Sequence, residues 1–315
     1  GGVFAGYMYL NLSFGRMIAV RTPGTTIEKS DATYYGSEQQ APEYIPHRDD
    51  KSLTASLKLI RYGWRMLNTT EIPSLASDRD LVTEWQKRLP ELLQSDNQTL
   101  VAALREIMEP AMNLFTNHLE ITGQAGGAVQ LLSTICEERL DDRSLALTLL
   151  GSLGDVDSAA PSFALWELGR KVAHDTKLTD LFNQGIPDLE ERLRNSYHAS
   201  DFVEEFDTFL SEFGSRGPNE WETACDTWGT NPDSVLILID RMREADPTKS
   251  PQLRTEILAK KRDQALSLAR TELKGLGLRL FNKTFNAATL FSKARERSKT
   301  TIIDLIHVAR LLSRE

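Results

Sequence analysis

Apolar residues recur along most of this chain at the spacing of one face of an α-helix. From Leu53 to Trp64 they fall at steps of four and three residues, and similar faces follow through to the end of the sequence. This pattern predicts a succession of amphipathic helices, each burying its apolar side. The tryptophans on these faces, Trp64, Trp85 and Trp166, are therefore predicted to lie in the core.

The first fifty residues follow a different pattern. Val3–Leu12 is apolar and typical of a strand, whereas residues 28–46 are polar and interrupted by proline, which predicts an ordered connection. We predict a mainly α protein: a large multi-helix domain with a short N-terminal β segment. A strand-and-loop segment at residues 1–50 is expected to pack on a helical domain at residues 51–315, which has a possible subdomain seam near residues 214–234.

Prolines and glycines subdivide the predicted helices. Pro90 and Pro110 are predicted to kink or end the helices that contain them. The glycine-rich stretch Gly123–Gly127 is predicted to join two helices, a role favoured over phosphate binding because no strand precedes it. The last helices are predicted from Phe285 to Arg297 and onward to the end.

Composition excludes several classes of function. The formal charge of −8 disfavours a nucleic-acid-binding protein, which needs a basic surface. No apolar run is long enough to span a bilayer, and no targeting segment is recognisable, so we predict a cytoplasmic protein without a membrane partner. Cys136 and Cys225 are far apart in sequence and are interpreted as reduced thiols.

The chain contains no self-contained catalytic motif. Its 5 histidines are scattered and form no metal-ligand spacing, and no phosphate-binding loop or nucleophile elbow occurs. We therefore predict no metal site and no catalytic residue in this chain. The terminal helical pattern ends without a stop signal, and we interpret the sequence as a middle domain of a longer polypeptide.

One passage stands out for its turn chemistry. The run Phe213–Trp221 places Gly214, Gly217 and Pro218 around Arg216. Such a turn fixes the backbone and presents a guanidinium, which suits either an anion site or a tether for a helix end.

Several segments resemble the central domain of phosphoenolpyruvate-utilising dikinases and rifampicin phosphotransferases. These segments are Tyr9–Ser13 with Arg16, Arg21, Pro23 and Gly24, the glycine loop Leu149–Gly154 with Leu165–Leu168, the turn Phe213–Trp221 with Trp228 and Asp233–Leu236, and the basic segment Ala294–Lys299. Together they span nearly the whole chain.

The resemblance implies an acceptor-binding domain of an ATP-dependent phosphotransferase. In that family an ATP-grasp domain binds ATP and Mg²⁺, and a swivelling domain carries phosphate on a histidine to an acceptor bound by the central domain. Both of those domains are absent from this chain and are its implied partners, together with a small-molecule acceptor. The chain alone is accordingly expected to be inactive and to hold no cofactor.

The resemblance also nominates substrate-binding residues. Arg295 and Lys299 match a basic pair, and a spacing of four residues places them on one helical face. Arg216 and Glu220 match the glycine turn, where a tethering role for Arg216 is an equal alternative.

Asn11 and Arg16 match the start of the central domain and either bind substrate or hold the strand in place. Two residues depart from the family pattern: Ser215 replaces a histidine, and Asp304 replaces a basic residue. These departures indicate either a different acceptor or a degenerate site.

Two other functions compete with this interpretation. A non-enzymatic helical interaction module fits the acidic composition and the lack of catalytic clusters. A solvated helix face is the simplest reading of the Arg295 and Lys299 charges. A stand-alone hydrolase would need a nucleophile and a base, and no motif supplies them.

Overall fold

The protein is described by a computed structural model that covers residues 2–4, 7–9, 12–22, 25–35, 42–153 and 159–315. The chain divides into two compact units, Gly1–Thr69 and Thr70–Glu315. The first long amphipathic helix, Leu53–Asn68, lies in the N-terminal unit. The mainly α class is confirmed.

The N-terminal unit combines a small hairpin with helices. Its described elements are β1 (Gly2–Phe4), β2 (Tyr7–Tyr9), α1 (Leu12–Arg21), α2 (Ile27–Tyr35), a 3-10 turn at Arg48–Asp50 and α3 (Leu53–Asn68). The two strands pair antiparallel. A single strand over Val3–Leu12 is not confirmed: the strands have three residues each, and Leu12 already begins a helix.

Helix α3 forms where the periodicity predicts it, capped by the Ser52 side chain. Its apolar face is nevertheless exposed: Leu53 is 86%, Leu57 66% and Trp64 65% accessible to solvent. The predicted core position of Trp64 is therefore wrong. Periodicity determines which residues share a face, but it does not determine whether another element covers that face.

The second unit consists of helices and the turns that connect them, with no strand among its described residues. Its α-helices are α4 (Ser74–Leu92), α5 (Asn97–Glu106), α6 (Met108–Leu140), α7 (Leu145–Leu149), α8 (Ala160–His174), α9 (Thr176–Asn183), α10 (Leu189–Arg194), α11 (Ser200–Phe213), α12 (Asp233–Glu244), α13 (Pro251–Glu272) and α14 (Gly275–Arg314). Short 3-10 helices occupy Tyr197–Ala199 and Pro247–Lys249.

Two hydrophobic clusters stabilise this unit. One joins α8–α12 through aromatic and aliphatic side chains such as Phe202 and Phe206, which follow the predicted stripe. The other joins α4, α5, the start of α6 and the end of α14, and it contains Trp85. The predicted burial of Trp85 and Trp166 is confirmed, since they are 4% and 6% exposed.

Helices α6 and α14 are longer than the sequence predicts. Helix α6 continues through Gly123–Gly127, so the predicted break there is wrong. Ala125 and Ala128 are buried in the middle of this stretch, and this packing outweighs the low helix propensity of glycine. Helix α14 is continuous for 40 residues, where separate helices were predicted.

The prolines lie near helix ends. Pro90 is in the last turn of α4. Pro110 is in the first turn of α6, where its missing N–H removes no hydrogen bond. The interruption between α5 and α6 lies just before it, at Ile107. None of the helices within the described ranges is both long and apolar enough to cross a membrane.

Candidate functional site

The turn that follows α11 is fixed by close approach of two backbone segments. The N–H of Gly229 donates to the carbonyl of Gly214 at 2.8 Å, and the N–H of Trp228 donates to the carbonyl of Arg216 at 2.8 Å. A Cβ at Gly214 would collide with the carbonyl oxygen of Leu210, so this position requires glycine. The pairing sets the direction in which Arg216 leaves the turn.

Glu220 is the centre of a buried charge network. Its carboxylate forms ion pairs with two cations, at 2.8 Å from Nζ of Lys299 and 3.3 Å from Nε of Arg216. Glu220 is 8% exposed, so its charge depends on these two cations for compensation. The network joins the glycine turn to the middle of α14.

The backbone around Glu220 is held by Arg310, which is completely buried. Its Nη2 donates to the carbonyls of Glu220 at 2.8 Å and Glu222 at 3.0 Å. Its Nη1 lies 3.3 Å from Nδ1 of His307, which also contacts the Thr227 hydroxyl at 3.3 Å. Burial, reinforced by the charge of Arg310, lowers the pKa of His307 to about 4. The histidine is therefore neutral at pH 7.

A second histidine, His118, lies beside the predicted basic pair. Its Nδ1 is 2.8 Å from Oγ of Ser298, and that hydroxyl is 3.0 Å from the carbonyl of Arg295. The pKa of His118 is lowered, first by burial and then by the positive charges of Arg295 and Lys299. These effects favour a neutral imidazole next to two cations.

An aromatic surface adjoins His118. The rings of His118 and Trp221 lie 5.9 Å apart, and Phe115 meets Trp221 edge-on at 6.5 Å. Trp221 and Phe115 are 43% and 40% exposed. Met112 and Leu119 continue the exposed apolar face of α6 on either side of Phe115. The surface is therefore suited to a flat or apolar ligand.

The opposite face of α14 lines a cavity of about 670 Å³. Ser215 donates to Asp304 at 2.7 Å, and Asp304 also pairs with Arg79. The two departures from the family pattern are therefore direct hydrogen-bond partners. Arg216 and Arg297 also line this cavity, whereas the predicted Arg295 and Lys299 lie about half a turn away around α14.

A larger depression of about 860 Å³ lies along α10 and α11. Its cation Arg194 is already paired with Glu190 at 2.9 Å and Asp207 at 2.7 Å. These ion pairs leave no uncompensated positive charge there to attract a phosphoryl group.

The predicted substrate-binding residues fall into three groups. Arg216, Glu220 and Lys299 form one network, and Arg295 lies one turn earlier on α14, paired with Glu296 at 2.6 Å. Arg16 lies in the other unit.

Both carboxylate oxygens of Asp31 accept hydrogen bonds from the guanidinium of Arg16, at 2.8 and 2.6 Å, and both side chains are buried. These contacts favour the role of holding local structure over that of binding substrate. Asn11 lies outside the described residues.

Sequence reasoning missed His118 and Arg310. His118 contacts Ser298 and Arg310 contacts Glu220, both far away in the sequence, and no local residue spacing predicts such pairs. Within the described ranges, no group of three or more histidine, cysteine, aspartate or glutamate residues is arranged to hold a metal ion.

Comparison with known proteins gives one result. A family model described as the rifampicin phosphotransferase fourth domain matches residues 117–297, more than half of the chain. The matched range includes His118, Arg216, Glu220 and Arg295, and it ends two residues before Lys299. No curated protein matches the chain.

Proposed function

The chain belongs to the rifampicin phosphotransferase fourth-domain family, and from this premise we propose that it binds the acceptor of an ATP-dependent phosphotransferase. The phosphoryl group would arrive on a histidine of a separate swivelling domain, and ATP and Mg²⁺ would be bound by an ATP-grasp domain. The observation that carries this proposal is that the Arg295 and Lys299 cations act on His118, whose ring lies against the aromatic surface of Trp221 and Phe115.

Each group in this surface has a role that its chemistry supports. The rings of Trp221 and Phe115 offer apolar contact to the body of the acceptor. Arg295 and Lys299 would attract the phosphoryl oxygens, since phosphoryl transfer depends mostly on positioning and charge stabilisation. Glu220 and Arg216 act through Lys299, because their ion pairs fix its position.

Rifampicin is the probe for acceptor binding by the 315-residue chain. We expect it to raise the melting temperature and to bind with an affinity that Trp221→Ala lowers by about tenfold, since the substitution removes aromatic contact. Tyr197→Ala is the matched control, because Tyr197 is an exposed aromatic residue on another part of the same unit. Equal binding by wild type and Trp221→Ala would contradict the location of the site.

The cations are tested with 1-naphthyl phosphate, which carries a phosphoryl group on an aromatic ring. Arg295→Gln is expected to weaken its binding about tenfold, because a charge-assisted contact of roughly 1.5 kcal/mol is lost. Arg254→Gln removes an exposed arginine on α13 and should leave the affinity unchanged. Hydrolysis of ATP by this chain alone would overturn the assignment to an acceptor-binding domain.

The exposed apolar face of α6 favours one alternative, a helical protein-interaction module. Met108 and Met112 are 58% and 57% exposed on this face. An interaction module would respond to neither rifampicin nor 1-naphthyl phosphate in the melting experiment.

A further inference from the structure

We infer that His118 is a catalytic base, whose Nε2 atom accepts the proton of the acceptor hydroxyl as the phosphoryl group is transferred. This inference rests on the proposed function and adds a chemical role for a residue within this chain. It also restricts the acceptor to a compound whose hydroxyl group lies close to an aromatic or other flat apolar body.

The hydrogen bonds around His118 determine which of its nitrogens carries the proton. The carbonyl oxygen of Arg295 can only accept a hydrogen bond. The single hydroxyl proton of Ser298 is therefore donated to that carbonyl oxygen, 3.0 Å from the Ser298 oxygen. The Ser298 oxygen must then accept from Nδ1–H of His118 across 2.8 Å. This arrangement leaves a lone pair on Nε2, which the Thr122 hydroxyl approaches only to 3.4 Å.

The charged groups that face His118 keep it able to accept a proton. Arg295 and Lys299 lower its pKa, and Glu296, also on α14, raises it by a smaller amount than burial and Arg295 lower it. Lys299 is itself held by Glu220, so its charge is fixed nearby. Because the net direction is downward from 6.5, the ring is in its basic form at pH 7.

The position of His118 matches the surface assigned to the acceptor. Its ring lies 5.9 Å from the ring of Trp221 with an interplanar angle of 45°. A flat molecule stacked on Trp221 would therefore place a peripheral hydroxyl within hydrogen-bond reach of the imidazole edge. The positive charge of Arg295 acts on His118, and incoming phosphoryl oxygens would need such a cation close to the imidazole.

The step balances without any further reactant. The acceptor O–H bond breaks, and its proton moves to Nε2 of His118. The acceptor oxygen bonds to phosphorus while the P–N bond of the donor phosphohistidine breaks. That electron pair returns to the departing nitrogen of a ring that is protonated at its other nitrogen, so the imidazole leaves as a neutral group. His118 then releases its proton to water.

The first test is the tautomer in the unmodified chain. Nitrogen-15 NMR of the histidine rings is expected to show His118 protonated at Nδ1 and bare at Nε2 at pH 7.5. The resonance is identified as the one that moves in Ser298→Ala. Protonation at Nε2 would overturn the inference and needs no mutant of His118 itself.

The second test compares 1-naphthol with 1-methoxynaphthalene, which has no hydroxyl proton to donate. Wild type at pH 7.5 is expected to prefer the naphthol by about tenfold, the value of one good hydrogen bond. His118→Phe keeps a ring of similar shape and should abolish the preference, whereas His174→Phe, on an exposed turn of α8, should retain it.

Lowering the pH through the pKa of His118 should also abolish the preference in wild type. A preference that persists in a folded His118→Phe variant would overturn the inference and leave the acceptor-binding proposal intact. Failure of both naphthalenes and of rifampicin to bind the wild type would instead contradict the proposed function.

Discussion

His307 has a largely buried ring that accepts hydrogen bonds from its surroundings and therefore cannot take up a proton without cost. Its Nδ1 faces Nη1 of Arg310 at 3.3 Å, so protonation would set two positive charges against each other. The lowered pKa expresses this cost. Because Arg310 donates a hydrogen bond to the carbonyl of Glu220, protonation of His307 at low pH would affect the loop that carries the candidate site.

The expected consequence is acid sensitivity. The pKa of His307 is about 4 in the folded chain, against an ordinary histidine pKa of 6.5 in the unfolded chain, so the unfolded state binds the proton first. The contribution of His307 to the free energy of unfolding is therefore fully present above pH 6.5. It is lost as the pH falls toward 4, and the loss is at most about 3 kcal/mol. Urea denaturation at pH 7.5 and pH 4.5 measures this loss.

His307→Asn keeps an acceptor near the Nδ1 position and removes the titration. We expect the variant to lose less stability than wild type between the two pH values. His174→Asn, at an exposed histidine, controls for the effect of deleting any histidine. Identical losses in wild type and His307→Asn would show that other groups cause the acid sensitivity.

At the scale of elements, the crossing of α8 and α12 depends on a single small residue. A Cβ on Gly169 would lie 2.6 Å from Cβ of Met242 and 2.9 Å from the backbone nitrogen of Arg243. Backbone atoms cannot move aside as the end of a side chain can. The two helices can therefore approach this closely only with glycine at the contact.

Gly169→Ala is expected to destabilise the chain by about 1–2 kcal/mol, since overpacking of about 1–3 kcal/mol exceeds the gain of up to about 1 kcal/mol in helix propensity. Gly126→Ala is the matched control, because a Cβ at Gly126 in α6 would meet nothing within 4 Å. That variant should be more stable than wild type by roughly 0.5–1 kcal/mol. Chemical denaturation of both variants measures the pair, and a stabilising Gly169→Ala would contradict the packing argument.

At the scale of the whole molecule, the candidate site and two hydrophobic clusters lie within Thr70–Glu315. A chain of residues 70–315 is therefore expected to unfold cooperatively and to bind rifampicin within about twofold of the whole chain. Circular dichroism and the rifampicin titration test this together. Loss of binding by a folded shortened chain would give weight to Asn11 or Arg16 as substrate contacts.

The limits of sequence-based prediction follow from the range of the interactions. Helical faces such as that of Trp85 were predictable because periodicity is local, and the glycine turn at Arg216 was predictable from its residue types. The exposed Trp64 and the uninterrupted α6 were not, because each depends on whether distant residues supply packing. The same holds for the site: the contacts of His118 with Ser298 and of Ser215 with Asp304 span 180 and 89 residues.

Helix α14 contacts the loop after α11 at three positions along its axis. These contacts are Lys299 with Glu220, Asp304 with Ser215, and Arg310 with the Glu220 carbonyl. One inserted residue within this interval would rotate everything beyond it by about 100° and advance it by about 1.5 Å. Part of the set would then miss its partners. We therefore expect natural insertions and deletions to fall in the connecting loops, and the interval from 299 to 310 to keep a constant length among relatives.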